Sequence, residues 1–254
     1  MSKSLLINPP FNIAKENYDS SVSVGLLSIA SFVNSKGEEV KIIDGVREKD
    51  YLEKIKEHAK DASYAGISVM TTQISDALKI SKIIKNVNPD CKIVWGGPHP
   101  TFFKDQSIKA ECIDIVCVGE GEETFYEIVT GKKLDEIQGI IYKDKKDIKT
   151  NPPRPLHDPA KMPLFNWGLI DNEVLENLAY IPSLTSRGCP HLCTFCINAI
   201  LKLKWRKRTS EQVLNDLEII KKKEYFKGKK LRFWDENFFV DINRAKEIID
   251  GMIE

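Results

Sequence analysis

Five short, mostly apolar runs punctuate the first half of the chain, at residues 4–7, 40–43, 64–69, 92–95 and 113–118. Runs of this length, rich in Ile and Val, read as β-strands. Between them Leu26, Ile29, Ala30 and Val33 fall at i, i+3, i+4 and i+7, and Ala77, Ile80, Ile84 and Val87 make a similar stripe. Both segments are expected to be helices with one buried face. Gly37 suits the end of the first, and residues 54–60 form a charged helical stretch. Nearly all-apolar strands alternating with helices predict an α/β fold with a doubly wound parallel sheet covered on both faces. Residues 138–142 and 147–149 flank a polar turn and predict a small hairpin.

The pattern then breaks. Pro152, Pro153, Pro155, Pro159 and Pro163 crowd together, which excludes a regular helix and predicts an extended linker over residues 151–180, with a first domain at 1–150. A second domain is expected over 181–254. Residues 181–185 and 231–234 read as strands. Val213, Leu217 and Ile220 mark a helix whose start is signalled by Thr209 and Gln212, at the spacing of a capping box. Ile242, Ala245, Ile249 and Met252 begin another helix, still periodic at Glu254. There is no repeat at solenoid spacing.

Composition narrows the possibilities. With 42% hydrophobic and 30% charged residues the chain has the make-up of a globular protein, and a formal net charge of +1 gives no general electrostatic case for a nucleic-acid or membrane partner. No apolar run approaches the roughly 20 residues of a membrane span, and the N-terminus lacks a signal-peptide core, so a cytoplasmic location is expected. The one basic run, Lys202, Lys204, Arg206, Lys207 and Arg208 with Trp205 among them, could hold phosphate and stack a base. Because the charge is local, it is read instead as a solvated loop before a capped helix. Of six cysteines, Cys91, Cys112 and Cys117 lie in or beside predicted strands and are assigned to the core.

The other three carry the chemistry. Arg187-Gly188-Cys189-Pro190-His191-Leu192-Cys193-Thr194-Phe195-Cys196 places thiols at spacings of four and three just past a strand. Thiolates are the preferred ligands of iron–sulfur clusters, and short spacing lets three converge on one cluster while leaving one iron open. The alternatives are a zinc site completed by His191, for which no second ligand pair is visible, and buried thiols packing as small apolar groups.

This loop resembles the signature of the radical S-adenosylmethionine (SAM) superfamily. The resemblance implies a [4Fe-4S] cluster on Cys189, Cys193 and Cys196, with its open iron chelated by the amino and carboxylate groups of SAM. An electron from the cluster would then cleave SAM to methionine and a 5'-deoxyadenosyl radical. It also implies that Phe195 lies against the adenine, and that Asp235, Glu236 and Asn237, after the second strand of a (β/α) barrel, contact the SAM amino group. A carboxylate can pair with an ammonium. The same three residues also suit the N-terminus of a helix, and the two roles are compatible. A reductant such as flavodoxin or ferredoxin, and anaerobic chemistry, are implied with the cluster.

With such a module downstream, the first domain resembles the Rossmann-like cobalamin-binding domain of the cobalamin-dependent branch of that superfamily. The residues carrying the likeness are Asn8, Pro9 and Pro10 after the first strand; Ser68, Val69 and Thr71 after the third; Gly96, Gly97, Pro98 and His99 after the fourth; and Gly119, Glu120, Gly121 and Glu122 after the fifth. Glycines there would admit a bulky corrin or its nucleotide tail. The same loops could be turns with nothing bound. No Asp-x-His-x-x-Gly motif is present, so no histidine ligand to cobalt is expected, and His99 is assigned a structural role. A nucleotide-binding Rossmann module is the alternative, without a G-x-G-x-x-G or P-loop to support it.

The activity implied is methyl transfer, or radical cyclisation or rearrangement, of a small-molecule substrate. The other reading is a corrinoid-binding module with a catalytically silent barrel segment. Only 58 residues follow Cys196, room for about two strand-helix units of roughly 30 residues. The superfamily's barrel has about six, so the chain is expected to be part of a longer enzyme, with open sheet edges and uncovered helix faces.

Overall fold

The computed structural model describes residues 3–11 and 22–253. The chain divides into two compact units. One contains residues 3–11, Gly25–Pro155 and Phe165–Ile170, and the other residues 22–24, Leu156–Leu164 and 171–253.

The first unit is a seven-stranded sheet flanked by helices. In chain order its elements are β1 (Lys3–Asn8), α1 (Val24–Ser35), β2 (Val40–Asp44), α2 (Tyr51–Ala59), β3 (Ala62–Ser68), α3 (Ile74–Val87), β4 (Lys92–Gly96), α4 (Pro98–Phe102), α5 (Lys104–Ser107), β5 (Ile115–Cys117), α6 (Glu122–Val129), β6 (Ile140–Asp144) and β7 (Asp147–Thr150). The strand order is β2-β1-β3-β4-β5-β6-β7. β1 to β5 pair in parallel, and the hairpin β6–β7 closes the sheet antiparallel to β5. The predicted doubly wound parallel sheet is therefore present, and the predicted hairpin extends it. Chain order reverses between β1 and β3, where doubly wound folds open a crevice at the carboxyl ends of the strands.

The predicted stripes are the packed faces. Leu26, Ala30 and Val33 of α1 and Ala77, Ile80 and Ile84 of α3 are buried, together with Leu5, Ile7, Ile43, Ile67, Ile93, Trp95 and Val116 of the sheet. Such burial supplies the main driving force for the unit. The polar end of Trp95 is satisfied inside this core: its indole N–H donates to Ser81 Oγ at 3.0 Å, and that hydroxyl donates to the Ala77 carbonyl at 2.7 Å. Gly37, at φ +90°, ends α1: its N–H donates to Asn34 O at 3.0 Å and the Glu38 N–H to Val33 O at 3.3 Å, the paired bonds of a Schellman motif. Cys91 and Cys117 are buried and Cys112 is half-buried. Burial pushes the Cys91 thiol up to about 11 and that of Cys117 up to about 12, so both are neutral core groups.

The second unit contains α7 (Asn172–Glu176), β8 (Tyr180–Ser183), β9 (Ser186–Arg187), α8 (Ile197–Ile200), β10 (Arg206–Lys207), α9 (Ser210–Lys221), β11 (Lys230–Phe233) and α10 (Ile242–Ile253). β8 and β11 pair in parallel, and β9 and β10 form a separate two-residue antiparallel ladder. Ile181, Val213, Ile220, Ala245 and Ile248 are buried. The capping box forms as predicted, with the Gln212 N–H donating to Thr209 Oγ1 at 3.1 Å and the Thr209 N–H to Gln212 Oε1 at 3.0 Å. α10 runs to Ile253; Glu254, which the periodicity reaches, lies outside the described residues.

The proline-rich stretch departs from expectation in its later part. Residues 151–158 carry no regular element, but beyond them the stretch forms 3-10 turns at Pro159–Lys161 and Trp167–Leu169 and the helix α7, with Trp167, Ile170, Val174 and Leu175 buried. Capping explains the turns: Asp158 accepts from the Ala160 N–H at 3.0 Å and Asn166 from the Gly168 N–H at 3.1 Å, while Pro159, at a turn start, loses no bond by lacking an N–H. In the basic run Lys202, Lys204 and Lys207 are exposed ahead of the capped helix, as expected, while Arg208 pairs with Asp216 and Lys207 with Asp241.

Candidate functional site

Two regions hold the predicted site residues. The first is the carboxyl edge of the parallel strands, where the β1, β3, β4 and β5 loops are tied side to side. Gln73, 1% exposed, donates from Nε2 to Pro9 O at 2.6 Å and Asn8 Oδ1 at 3.1 Å, and its Oε1 accepts from the Met70 N–H at 2.9 Å. Asn8 in turn donates to Asp44 Oδ1 at 2.9 Å. The β3 and β4 loops are laced by the Val69 N–H on Gly96 O at 2.8 Å and the His99 N–H on Val69 O at 3.0 Å. Thr101 Oγ1 donates to Gly97 O at 2.8 Å and accepts from the Gly119 N–H at 3.2 Å, reaching the β5 loop.

Gly97 is needed at this edge. Its φ is +93°, and an added Cβ would lie 3.0 Å from both Ser68 Oγ and the Val69 nitrogen. His99 is buried, with Nδ1 3.2 Å from Thr71 Oγ1 and its ring stacked on Phe103 at 5.0 Å. Burial holds its pKa below the ordinary imidazole value. Pro98 opens α4 at a position that needs no N–H. Gly119, at φ +88°, is exposed and has open space around it. Glu122 behaves differently from its loop neighbours: it is the first residue of α6, 3% exposed, and accepts from Ser28 Oγ at 2.7 Å. Sequence reasoning missed Gln73 at this site. Its signal was a polar residue directly before an amphipathic helix, two positions after Thr71.

The second region is the cysteine loop. β9 and β10 pair Ser186 with Lys207 and Arg187 with Arg206, so residues 188–205 form a loop closed at its base. All three thiols of interest are inside it. Gly188, at φ +74°, lies so close to the return arm that an added Cβ would come within 2.5 Å of Leu203 O and 2.4 Å of Lys204 O. The Cys189 N–H donates to Leu203 O at 3.2 Å and the Cys196 N–H to Cys193 O at 2.9 Å. Cys189 and Cys196 are half-buried, Cys193 is exposed, and all three are free thiols. Among the described residues no three His, Cys, Asp or Glu side chains are grouped as a ready metal site. The donor set still fits an iron–sulfur cluster: three soft sulfurs share one short loop without a carboxylate among them.

Around this loop, Phe195 is 90% exposed. Asp235 accepts from the Thr185 N–H at 3.1 Å, from Thr185 Oγ1 at 2.7 Å and from Ser186 Oγ. Asn237 caps the turn that follows, accepting from the Phe239 N–H at 3.1 Å. Glu236 is exposed beside the Gly188 N–H, with its carboxyl raised above the usual range by partial desolvation and by the Asp235 charge.

Residues 16–129 match the B12 binding domain family. A protein named as an uncharacterized methyltransferase of Pyrococcus horikoshii is 34% identical over 97% of this chain and 56% of its own length. The solved structure of the cobalamin-dependent SAM radical enzyme OxsB, with aqua-cobalamin and SAM bound, superposes with a TM-score of 0.84 at 24% identity, over all of this chain and 37% of that one. The chain thus carries a B12 binding domain and has the fold of a cobalamin-dependent radical SAM enzyme. Another relative is an anaerobic magnesium-protoporphyrin IX monomethyl ester cyclase of Synechocystis, 26% identical over 84% of this chain and 46% of the relative. The chain spans about half the length of the curated relatives it matches. Among the described residues no helix is long and apolar enough to cross a membrane.

Proposed function

We propose that this chain is the cofactor-binding part of a radical SAM enzyme, holding cobalamin at the carboxyl edge of β1, β3, β4 and β5 and a [4Fe-4S] cluster on Cys189, Cys193 and Cys196. The observation that carries the reading is the cysteine loop itself: residues 188–205 are closed at the base by β9 and β10, and three free thiols lie within it. When bound, the cluster supplies the electron for reductive cleavage of SAM, and cobalamin supplies a carrier for a methyl group.

The chain's own residues orient and enclose. Phe195, exposed between two of the cysteines, offers a flat apolar face to an adenine. Within the segment Asp235, Glu236 and Asn237, the exposed Glu236, whose carboxyl also takes a bond from the Gly188 N–H, is the carboxylate for an ammonium group. In the first unit, Asn8, Pro9, Ser68, Val69 and Thr71 form one bank of the corrinoid site. Gly96, Gly97, Pro98, His99, Gly119, Glu120 and Gly121 form the other, while Glu122 supports the edge from within through Ser28. The reaction is methyl transfer, or cyclisation or rearrangement, of a small molecule, with a flavodoxin- or ferredoxin-type reductant.

The test is anaerobic reconstitution. The chain is expected to take up about four irons, as a cubane cluster requires, and Cys193→Ala to abolish that uptake. Full iron content in the variant refutes the cluster assignment. With SAM and dithionite, 5'-deoxyadenosine is expected; corrinoid retention without it identifies a silent binding module instead.

A further inference from the structure

The base of the cysteine loop is fastened by side chains from the far end of the second unit. Asp235, just past β11, takes both the N–H and the hydroxyl of Thr185 and the hydroxyl of Ser186. Arg244 of α10, 4% exposed, donates from Nη2 to Thr185 O at 2.8 Å and from Nε to Arg208 O at 2.7 Å. Thr185 and Arg208 flank the two strands of the loop base, and the Arg208 N–H donates to the same Thr185 carbonyl at 3.0 Å. One guanidinium therefore bridges the two arms, and one carboxylate holds the entering arm. Arg208 is held in turn by Asp216 of α9, with Nη2 on Oδ1 at 3.1 Å. Thr185 and Ser186 are each 1% exposed, so these bonds are shielded from competing water.

We infer that Asp235 and Arg244 are positioning residues for the cysteine loop, forming a clamp that fixes where its two arms leave the unit and so whether Cys189 can meet Cys193 and Cys196 on one cluster. The inference rests on the cluster reading above. It also gives Asp235 a role apart from the SAM ammonium. Both of its oxygens are engaged by the loop base, so the ammonium role falls to the exposed Glu236, whose carboxyl also takes a bond from the Gly188 N–H. A guanidinium suits the clamp because its planar fork reaches two carbonyls at once, which an ammonium on a flexible stem does not do with fixed geometry.

The test uses the whole chain, reconstituted anaerobically. Asp235→Asn turns an acceptor into an NH2 facing donors, and Arg244→Lys keeps the charge but loses the fork. Both variants are expected to keep the wild-type circular dichroism and corrinoid binding. Each is expected to lose iron to a chelator about tenfold faster, the scale on which residues behind metal ligands act, and to shift the electron paramagnetic resonance spectrum of the reduced cluster. Wild-type iron loss together with a wild-type spectrum in both variants overturns the inference. If Asp235→Asn unfolds the second unit, Thr185→Val carries the test, because it removes one donor and keeps the volume; it should lose iron severalfold faster, and an unchanged rate overturns the clamp. A wild-type chain that takes up no iron removes the cluster reading and the clamp together. A wild type that loads normally beside indifferent variants removes only the clamp.

Discussion

Gln73 donates to the backbone carbonyl of Pro9 at 2.6 Å, which fastens the loop after β1 to the loop after β3 across the reversal of strand order. The same amide bonds Asn8 Oδ1 and the Met70 N–H, so one buried side chain sets the width of the crevice that doubly wound folds use for ligands. Gln73→Leu keeps the bulk and leaves three polar groups without this partner. An unpaired buried group costs about 1–3 kcal/mol, so urea unfolding should show a loss of that order or more, with weaker corrinoid retention. An unchanged midpoint and unchanged retention would show that the tie does not matter.

Two glycines of the same edge allow a controlled comparison. Gly97 and Gly119 both have positive φ, but a Cβ on Gly97 meets Ser68 and Val69 at 3.0 Å, whereas one on Gly119 meets nothing within 4 Å. Gly119→Ala should cost only the left-handed backbone penalty, about 1–2 kcal/mol. Gly97→Ala adds a clash with the β3 loop and should lower the melting temperature further and weaken corrinoid binding more. Equal effects from the two variants would count against close packing at Gly97.

Much of this architecture was legible because it is periodic. β1 to β5, α1, α3 and the capping box at Thr209 and Gln212 follow from local apolar spacing and cap chemistry, and the cysteine spacing marked the loop that β9 and β10 close. What escaped depends on contacts distant in sequence. β9 and β10 are two residues each, too short for any periodic signal, and pair across eighteen intervening residues. Asp235 reads locally as a helix cap, yet its donors are Thr185 and Ser186, about fifty positions earlier. The proline-rich stretch looked extended because proline removes backbone donors; Asp158 and Asn166 supplied caps that composition alone does not weigh.

Asp44 predicts a pH dependence in the first unit. Burial pushes its carboxyl from 3.8 up to about 6, against the opposing hydrogen bonds from the Val46 N–H and Asn8. The native state therefore keeps this proton to higher pH than the unfolded chain. The associated stability is fully present below about pH 4 and is lost as pH rises through about 6. A gap of about two units corresponds to roughly 3 kcal/mol. Asp44→Asn retains an acceptor for Val46 and Asn8 without the charge, so it should flatten the stability profile between those pH values and stabilise the protein at neutral pH. Urea titrations across the range check this, and a variant with the wild-type slope would assign the dependence to another group.

Gly188→Ala is the sharpest test of how the cysteine loop closes. The residue sits at φ +74°, and an added Cβ would come 2.4 Å from Lys204 O and 2.5 Å from Leu203 O. Those are backbone atoms of the return arm, which cannot swing aside as a side chain would, so the arms must part. Parting breaks the bond from the Cys189 N–H to Leu203 O and moves Cys189 away from Cys193 and Cys196. Alanine at positive φ alone costs about 1–2 kcal/mol, and the separation adds to it. The expected outcome is a chain with wild-type corrinoid binding in its first unit and iron uptake reduced by about tenfold or more, as for other changes behind metal ligands. Measuring iron and corrinoid on the same sample separates this from global unfolding, which would lose both. Full iron uptake in the variant would mean that the arms need not touch for the thiols to converge.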